Sequence, residues 1–273
     1  MSTGFQFNKG PLSDGAMPRD WAQSTHEFGI HASETTQRFV YGTRYVTWDG
    51  KVWRYSLSTG ACYTERGNYF ANTISSDANG IDYSVLTNNQ SIGDREVTLT
   101  NGSTAVAEDY FAGGLVVIIP TETVTDGQVM HRGIIGNTAA IATTGECTLY
   151  LDYPIDRAVT TSNYAYAMPS GFSNLLYGNT GGTKSIAGLA GAYVTASGYN
   201  FWCQTHGACQ ITNGGSSECG KTTYYRGCWW RHDGTIDIFT NIGTYVTDQL
   251  AGFVIDNNAD ANGATNIMMT NGY

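Results

Sequence analysis

Charge is scarce in this chain. Asp, Glu, Lys and Arg make up 14% of its 273 residues, against roughly 25% in ordinary soluble domains. The 14 Lys and Arg are scattered, and the net charge is −9. Phosphate binding needs clustered cations, so nucleic acid is excluded as the main partner. Long apolar runs are also missing. The longest, Leu115 to Ile119, falls far below the roughly 20 residues that cross a bilayer, so no membrane span is expected. The first residues lack a basic n-region and an apolar h-region, so no Sec-type signal is expected and assembly in a reducing cytosol is. No segment of helical length carries a 3.6-residue period, which excludes a helical fold.

Gly, Thr, Asn, Ser and Tyr fill the space that charge leaves, with 34 Gly and 18 Tyr against 5 Pro. That balance suits strands and tight turns. A hydrophobic share of 41% over this length is enough for a full-sized core.

Three regions follow from the patterning. Residues 1–37 hold two of the five prolines and no steady period. They read either as a loose terminus or as an extended arm that orders on a partner, with Phe5, Phe7 and Trp21 as its anchors. Residues 38–90 open with RFVYGTRYVTWDGKVWRYSLS. Aromatic and β-branched runs on both sides of Asp49-Gly50 predict a hairpin with a type I′ turn, followed by loop with short extended pieces. Residues 91–273 hold short β runs bounded by Gly, Pro, Asn or Asp, spaced as in a sandwich or barrel. Within this region 174–198 is glycine-rich and reads as a long connection. The last strands expected are 199–212, 223–231 and 235–245, the latter two joined at Asp233-Gly234. The expected fold is therefore all-β: an extended N-terminal arm, a β-hairpin and a β-sandwich or barrel-like core.

Catalytic and metal signatures fail on spacing. His26-Glu27 and His31 give H-E-x-x-x-H, where zinc proteases need a four-residue step to bring both imidazoles to one helical face. Gly171-Phe172-Ser173 lacks the second glycine of a nucleophile elbow. Asp152 and Asp156 flank Pro154 and could serve glycoside chemistry only if they faced one cleft. No catalytic residue, cofactor or metal is assigned. The six cysteines allow a disulfide, most naturally Cys219 with Cys228, or six reduced thiols. The segment YNFWCQTHGACQITNG, 199–214, gathers Cys203, His206 and Cys209. On a strand, Tyr199, Phe201, Cys203, Thr205, Cys209 and Ile211 share an apolar face, and Trp202, Gln204, His206, Gln210 and Thr212 a polar one. The cysteines then read as buried packing residues, whereas Trp202 and His206 become candidates for contact with a partner.

The order of several segments resembles tailed-bacteriophage capsid decoration, or cement, proteins. It begins with Tyr41-Gly42-Thr43-Arg44 followed by WDGKVWRYS, and continues through IGDREVTLTNG and the Asp109–Ile118 run DYFAGGLVVI. GQVMHRGIIGNTAA, CTLYLDYPIDRAVTTS and finally GYNFWCQTHGACQITNG complete it. It spans about residues 38–215, and departs where His206-Gly207-Ala208 stands in place of the group's Trp-Gly-Pro. The resemblance implies a non-enzymatic virion protein on the capsid exterior, assembled in the host cytoplasm. Its partners would be the major capsid protein and further copies of itself, as a homotrimer or other symmetric cluster. Capsid contacts are then expected from Phe5, Phe7, Trp21, Trp202 and His206. The alternative is a tail- or fibre-associated module that recognises a host surface glycan, with Trp229 and Trp230 beside Arg231 and His232 stacking on sugars.

Overall fold

A computed structural model describes residues 29–71, 81–102, 104–119, 129–142, 145–177, 185–214, 219, 226–238, 246–256 and 264–271. Among them lie the strands β1 (Ser33–Glu34), β2 (Arg44–Val46), β3 (Val52–Leu57), β4 (Asn68–Phe70), β5 (Ile81–Val85) and β6 (Glu96–Thr100). They continue with β7 (Leu115–Ile119), β8 (Met130–Asn137), β9 (Glu146–Leu151), β10 (Tyr164–Met168), β11 (Leu175–Leu176) and β12 (Ile186–Ala190). The last are β13 (Asn200–Thr212), β14 (Gly227–Arg231), β15 (Ile236–Asp237), β16 (Val246–Asp256) and β17 (Ala264–Met269). Among the described residues no helix is long and apolar enough to cross a membrane. The expected all-β class is what the chain adopts.

The domain organisation differs from the expected division at 37/38 and 90/91. Two compact units form, Met1–Ala71 with Phe172–Tyr273, and Asn72–Gly171. The second is inserted in the first, and the reason is strand pairing. The hairpin β2–β3 does not stand alone: β3 runs antiparallel to β13, from Asn200↔Leu57 to His206↔Val52.

The inserted unit is a six-stranded sheet in the order β5-β10-β7-β8-β9-β6. Its two ends meet. Leu86 bridges Leu99, Thr87 N donates to Thr98 O at 3.0 Å, and Ser84 Oγ donates to Thr100 O at 3.0 Å. The sheet is thus nearly closed into a barrel. Period-two patterning fills it. Val97 and Leu99, Val116 and Ile118, Cys147, Leu149 and Leu151, and Ala165 and Ala167 all enter one core, joined by Phe111. Asn137 holds Phe111 there. Its side-chain oxygen accepts from Phe111 N at 2.7 Å, and its amide donates to Ala107 O and Thr138 O.

The other unit is built on β13, part of an eleven-stranded sheet. Over Asn200–His206 this strand pairs with β3, and β12 pairs with it at Cys203 and Gln204. From Gly207, which has φ +99°, it pairs instead with β17. β12 lies in the stretch expected as a long connection. Its sequence, Ile-Ala-Gly-Leu-Ala, has glycine at the centre because its backbone runs close to β13 there. A Cβ at Gly188 would sit 2.0 Å from Gln204 O. Glycine here marks close approach, not a loop. β17 alternates as a half-buried strand should, whereas β16 departs from alternation, because register shifts at Val254/Asp256 and along β14 break its period.

Two local corrections follow. The hairpin loop of Trp48, Asp49 and Gly50 is not type I′: only Gly50 has positive φ, at +80°. Thr47 N donates to Lys51 O, and Gly50 N to Thr47 O. This is a type I turn closed by a glycine bulge, the three-residue alternative for the same sequence signal. The expected arm 1–37 is also too long. Ser33 and Glu34 pair with Phe201 and Asn200, and Ile30 and Ala32 pack on the aromatic core. Residues 29–37 therefore belong to the fold.

Gly191 is where that N-terminal segment crosses the sheet. Its N donates to Trp202 O at 2.7 Å, its O accepts from His31 Nδ1, and an added Cβ would lie 1.9 Å from Ile30 O. Gly191→Ala should lower unfolding stability by about 1–3 kcal/mol, read by urea denaturation. An unchanged midpoint would mean that the 29–34 segment does not lie on β12.

Candidate functional site

The five residues expected at a partner interface separate in the structure. Phe5, Phe7 and Trp21 lie outside the described residues. Trp202 is not a surface residue: it is 1% exposed and packs with Trp53 and Tyr55. Its ring lies 5.3 Å from that of Tyr55, 5.6 Å from Phe39 and 5.9 Å from Tyr45. The half-buried strand pattern fails here because β13 is covered on both sides over its first half. Phe201 and Cys203 join a cluster with Cys62 and Leu175, and Trp202 enters the aromatic cluster. His206 is partly exposed at the end of the β3 ladder, and its carbonyl accepts from Gln204 Nε2 at 3.2 Å.

The cysteines are packing residues, as the strand faces suggested. All six are free thiols, and only Cys209 is more than marginally exposed. Burial pushes the thiols of Cys62 and Cys209 up to about 12 and that of Cys147 to about 11. Cys219 is raised by a hydrogen bond with Cys228 and then by burial, and Cys203 by burial alone before a smaller effect of Cys62. Such thiols stay protonated and unreactive at neutral pH.

The carboxylates considered for glycoside chemistry fasten loops. Asp152 accepts from the backbone N of Gly133 and of Tyr153, and Asp156 sits 3.1 Å from Arg132. Trp230 is fully buried, with Nε1 donating to Asn271 Oδ1 at 3.0 Å, so it offers no sugar a stacking face. Arg231 is drawn inward to the buried Asp237, 3.1 Å away.

What single-strand alternation missed is a sheet face. Antiparallel register sets Gly227, Phe253, Met268 and Ala208 in one row across β14, β16, β17 and β13. Directly opposed residues share a face. The adjacent buried row is Cys228, Gly252, Met269 and Gly207, which turns toward the core. The Phe253 row is therefore the outer one, and it is apolar. Phe253 is 50% exposed, Ile255 49% and Leu250, opposite Trp229, 44%. Burying such a side chain yields about 1.5–3 kcal/mol, so three neighbours on one surface favour a covered state. Gly227 opposes Phe253 with no side chain to shield the ring. Only the pairing register, a long-range property, could have disclosed this face.

A second feature lies at the β2–β3 loop. Trp48, Trp53, His31 and Glu65 line a cleft of about 460 Å³ with Asp49 and Lys51 on its rim loop. The Thr47 hydroxyl and Lys51 hold the Asp49 carboxyl below the usual carboxylate range.

No protein-family model, curated protein or solved structure matches the chain significantly.

The burial of the thiols gives a direct check. At about pH 8 the native protein should show no fast-reacting thiol toward Ellman's reagent, and all six should react in denaturant. Rapid single labelling at Cys209 would show that the β13–β17 ladder opens.

Proposed function

We propose that this chain is a non-enzymatic bacteriophage virion protein that decorates the capsid exterior and stabilises the major capsid lattice. The observation that carries the reading is the apolar outer face of β14, β16 and β17, with Leu250, Phe253 and Ile255 half exposed. The resemblance of its motif order from about 38 to 215 to that of decoration proteins supports it. So does the low charge of the chain, 14% of its residues, since few charges then have to be desolvated against another protein. The occupant of the apolar face is the major capsid subunit. The residues before 29, with Phe5, Phe7 and Trp21, act as a further clasp, and copies of the chain cluster symmetrically around the contact.

The mechanism is mass action. Copies that bind the assembled lattice and not free subunits shift the equilibrium toward the shell. Binding through a few half-exposed aromatic and aliphatic anchors fits that role, because most interface energy resides in such residues.

In purified virions the band of this protein should approach the major capsid protein in copy number. Phe253→Asp should fold as the parent does, by circular dichroism and thiol protection, yet fail to bind empty capsids. Deleting residues 1–28, which leaves Ile30 and Ala32 on the aromatic core, should weaken binding without unfolding. A copy number of a tail component, or full occupancy by the Phe253 variant, would reject the reading.

A further inference from the structure

The apolar sheet face leaves Trp48 without a task. It is 99% exposed, at the tip of the β2–β3 hairpin. A lone exposed apolar side chain needs no explanation. Here, however, the loop is fastened at its base. Thr47 N donates to Lys51 O at 3.0 Å, Gly50 N to Thr47 O at 2.9 Å, and the Thr47 hydroxyl to Asp49. Lys51 Nζ lies 3.1 Å from Asp49. The indole is held out on a fixed stem.

Trp48 also forms part of the wall of the cleft of about 460 Å³, a volume suited to a small ligand. The lining draws on several separate segments of one unit: the residues before β1, the β2–β3 hairpin, the loop before β4, β12 and β13. Three of its groups have capacity to spare. Trp53 is 4% exposed, and its indole N–H has no hydrogen-bond partner, a rare state for a buried donor. His31 Nδ1 lies 3.0 Å from Gly191 O. A carbonyl only accepts, so Nδ1 carries a proton, and in that tautomer Nε2 is the ring's acceptor. Glu65 contributes a carboxylate to the lining.

Charge narrows the ligand class. Asp49 and Glu65 stand against Lys51, whose ammonium is already on Asp49. Phosphate, sulfate and uronate ligands would meet these carboxylates, and among the described lining residues the one lysine is already engaged. What remains is an exposed flat indole and several acceptors: the complement of a ring with an apolar C–H face and a rim of hydroxyls. We infer that this cleft binds a neutral saccharide, with Trp48 stacking on the pyranose face while Glu65 and His31 accept from its hydroxyls. The inference does not depend on the capsid reading. It places a sugar site at Trp48, not at the Trp229-Trp230 pair that the sequence pattern first suggests.

The test is binding of the purified full chain to an array of neutral, amino and acidic glycans, followed by calorimetry on the best neutral oligosaccharide. Tetralysine serves as a cationic probe. A neutral glycan should bind, Trp48→Ala should weaken it at least about tenfold, and Trp48→Tyr should recover most of the loss. Trp229→Ala should leave affinity unchanged. Because Trp48 packs on nothing that holds the fold, its variants should melt as the parent does. The idea is overturned if no neutral glycan binds, if only acidic glycans or tetralysine bind, or if Trp48→Ala binds as the parent does. Capsid decoration with no glycan binding would remove this site alone, and glycan binding at tail-component copy number would remove the capsid reading alone.

Discussion

The burial of Trp202 on the aromatic rings of Phe39, Tyr45 and Tyr55 is the contact on which the larger unit depends. It fixes β13 from one side, while Phe201 and Cys203 fix it from the other. A strand covered on both faces cannot slip by one residue, since a slip would exchange two well-filled sets of side chains. With β13 set, the β2–β3 hairpin, the N-terminal segment through Ser33 and Glu34, and β12 all take their register from it. Tyr55 shows how tightly this region is sealed. Burial raises its phenol well above the ordinary range, and its hydroxyl oxygen accepts from Arg38 N at 2.9 Å.

The fold class was legible in the residues because absence of a helical period and abundance of β-branched and aromatic residues are local facts. The hairpin ending at Gly50 and the loop at Asp233-Gly234 were legible for the same reason. Gly234 has φ +76°, and Arg231 N donates to Thr235 O across it. Where the sequence misled, tertiary contact was the cause. β12 resembled a loop because close approach to Gln204 demands Gly188 and small neighbours. Trp202 fell on a polar-looking face because its neighbour there, Gln204, is buried with its own hydrogen bonds made inside; it donates to the carbonyls of His206 and Ala208.

The candidate sites were less legible still. The row of Phe253, Met268 and Ala208 joins two consecutive strands, β16 and β17, to β13, far from both in the chain. Trp48 was visible only as part of a hairpin signal, and nothing local distinguishes a tryptophan that packs from one held in water. Both surfaces depend on the scarcity of charge noted at the outset. With few long charged side chains to lie over them, exposed rings stay uncovered.

The strands that lead out to the inserted barrel and back from it are neighbours in the larger unit. β4 and β11 pair, with Phe70 opposite Leu175, and Ala71 N donates to Asn174 O at 2.8 Å. The chain thus leaves for the barrel and returns from it at hydrogen-bonding distance. A tight turn would close that gap and leave the eleven-stranded sheet uninterrupted. The barrel is thus an insertion whose two ends depart from neighbouring strands, so the sheet that carries Trp48 and Phe253 is complete in hydrogen bonding without it.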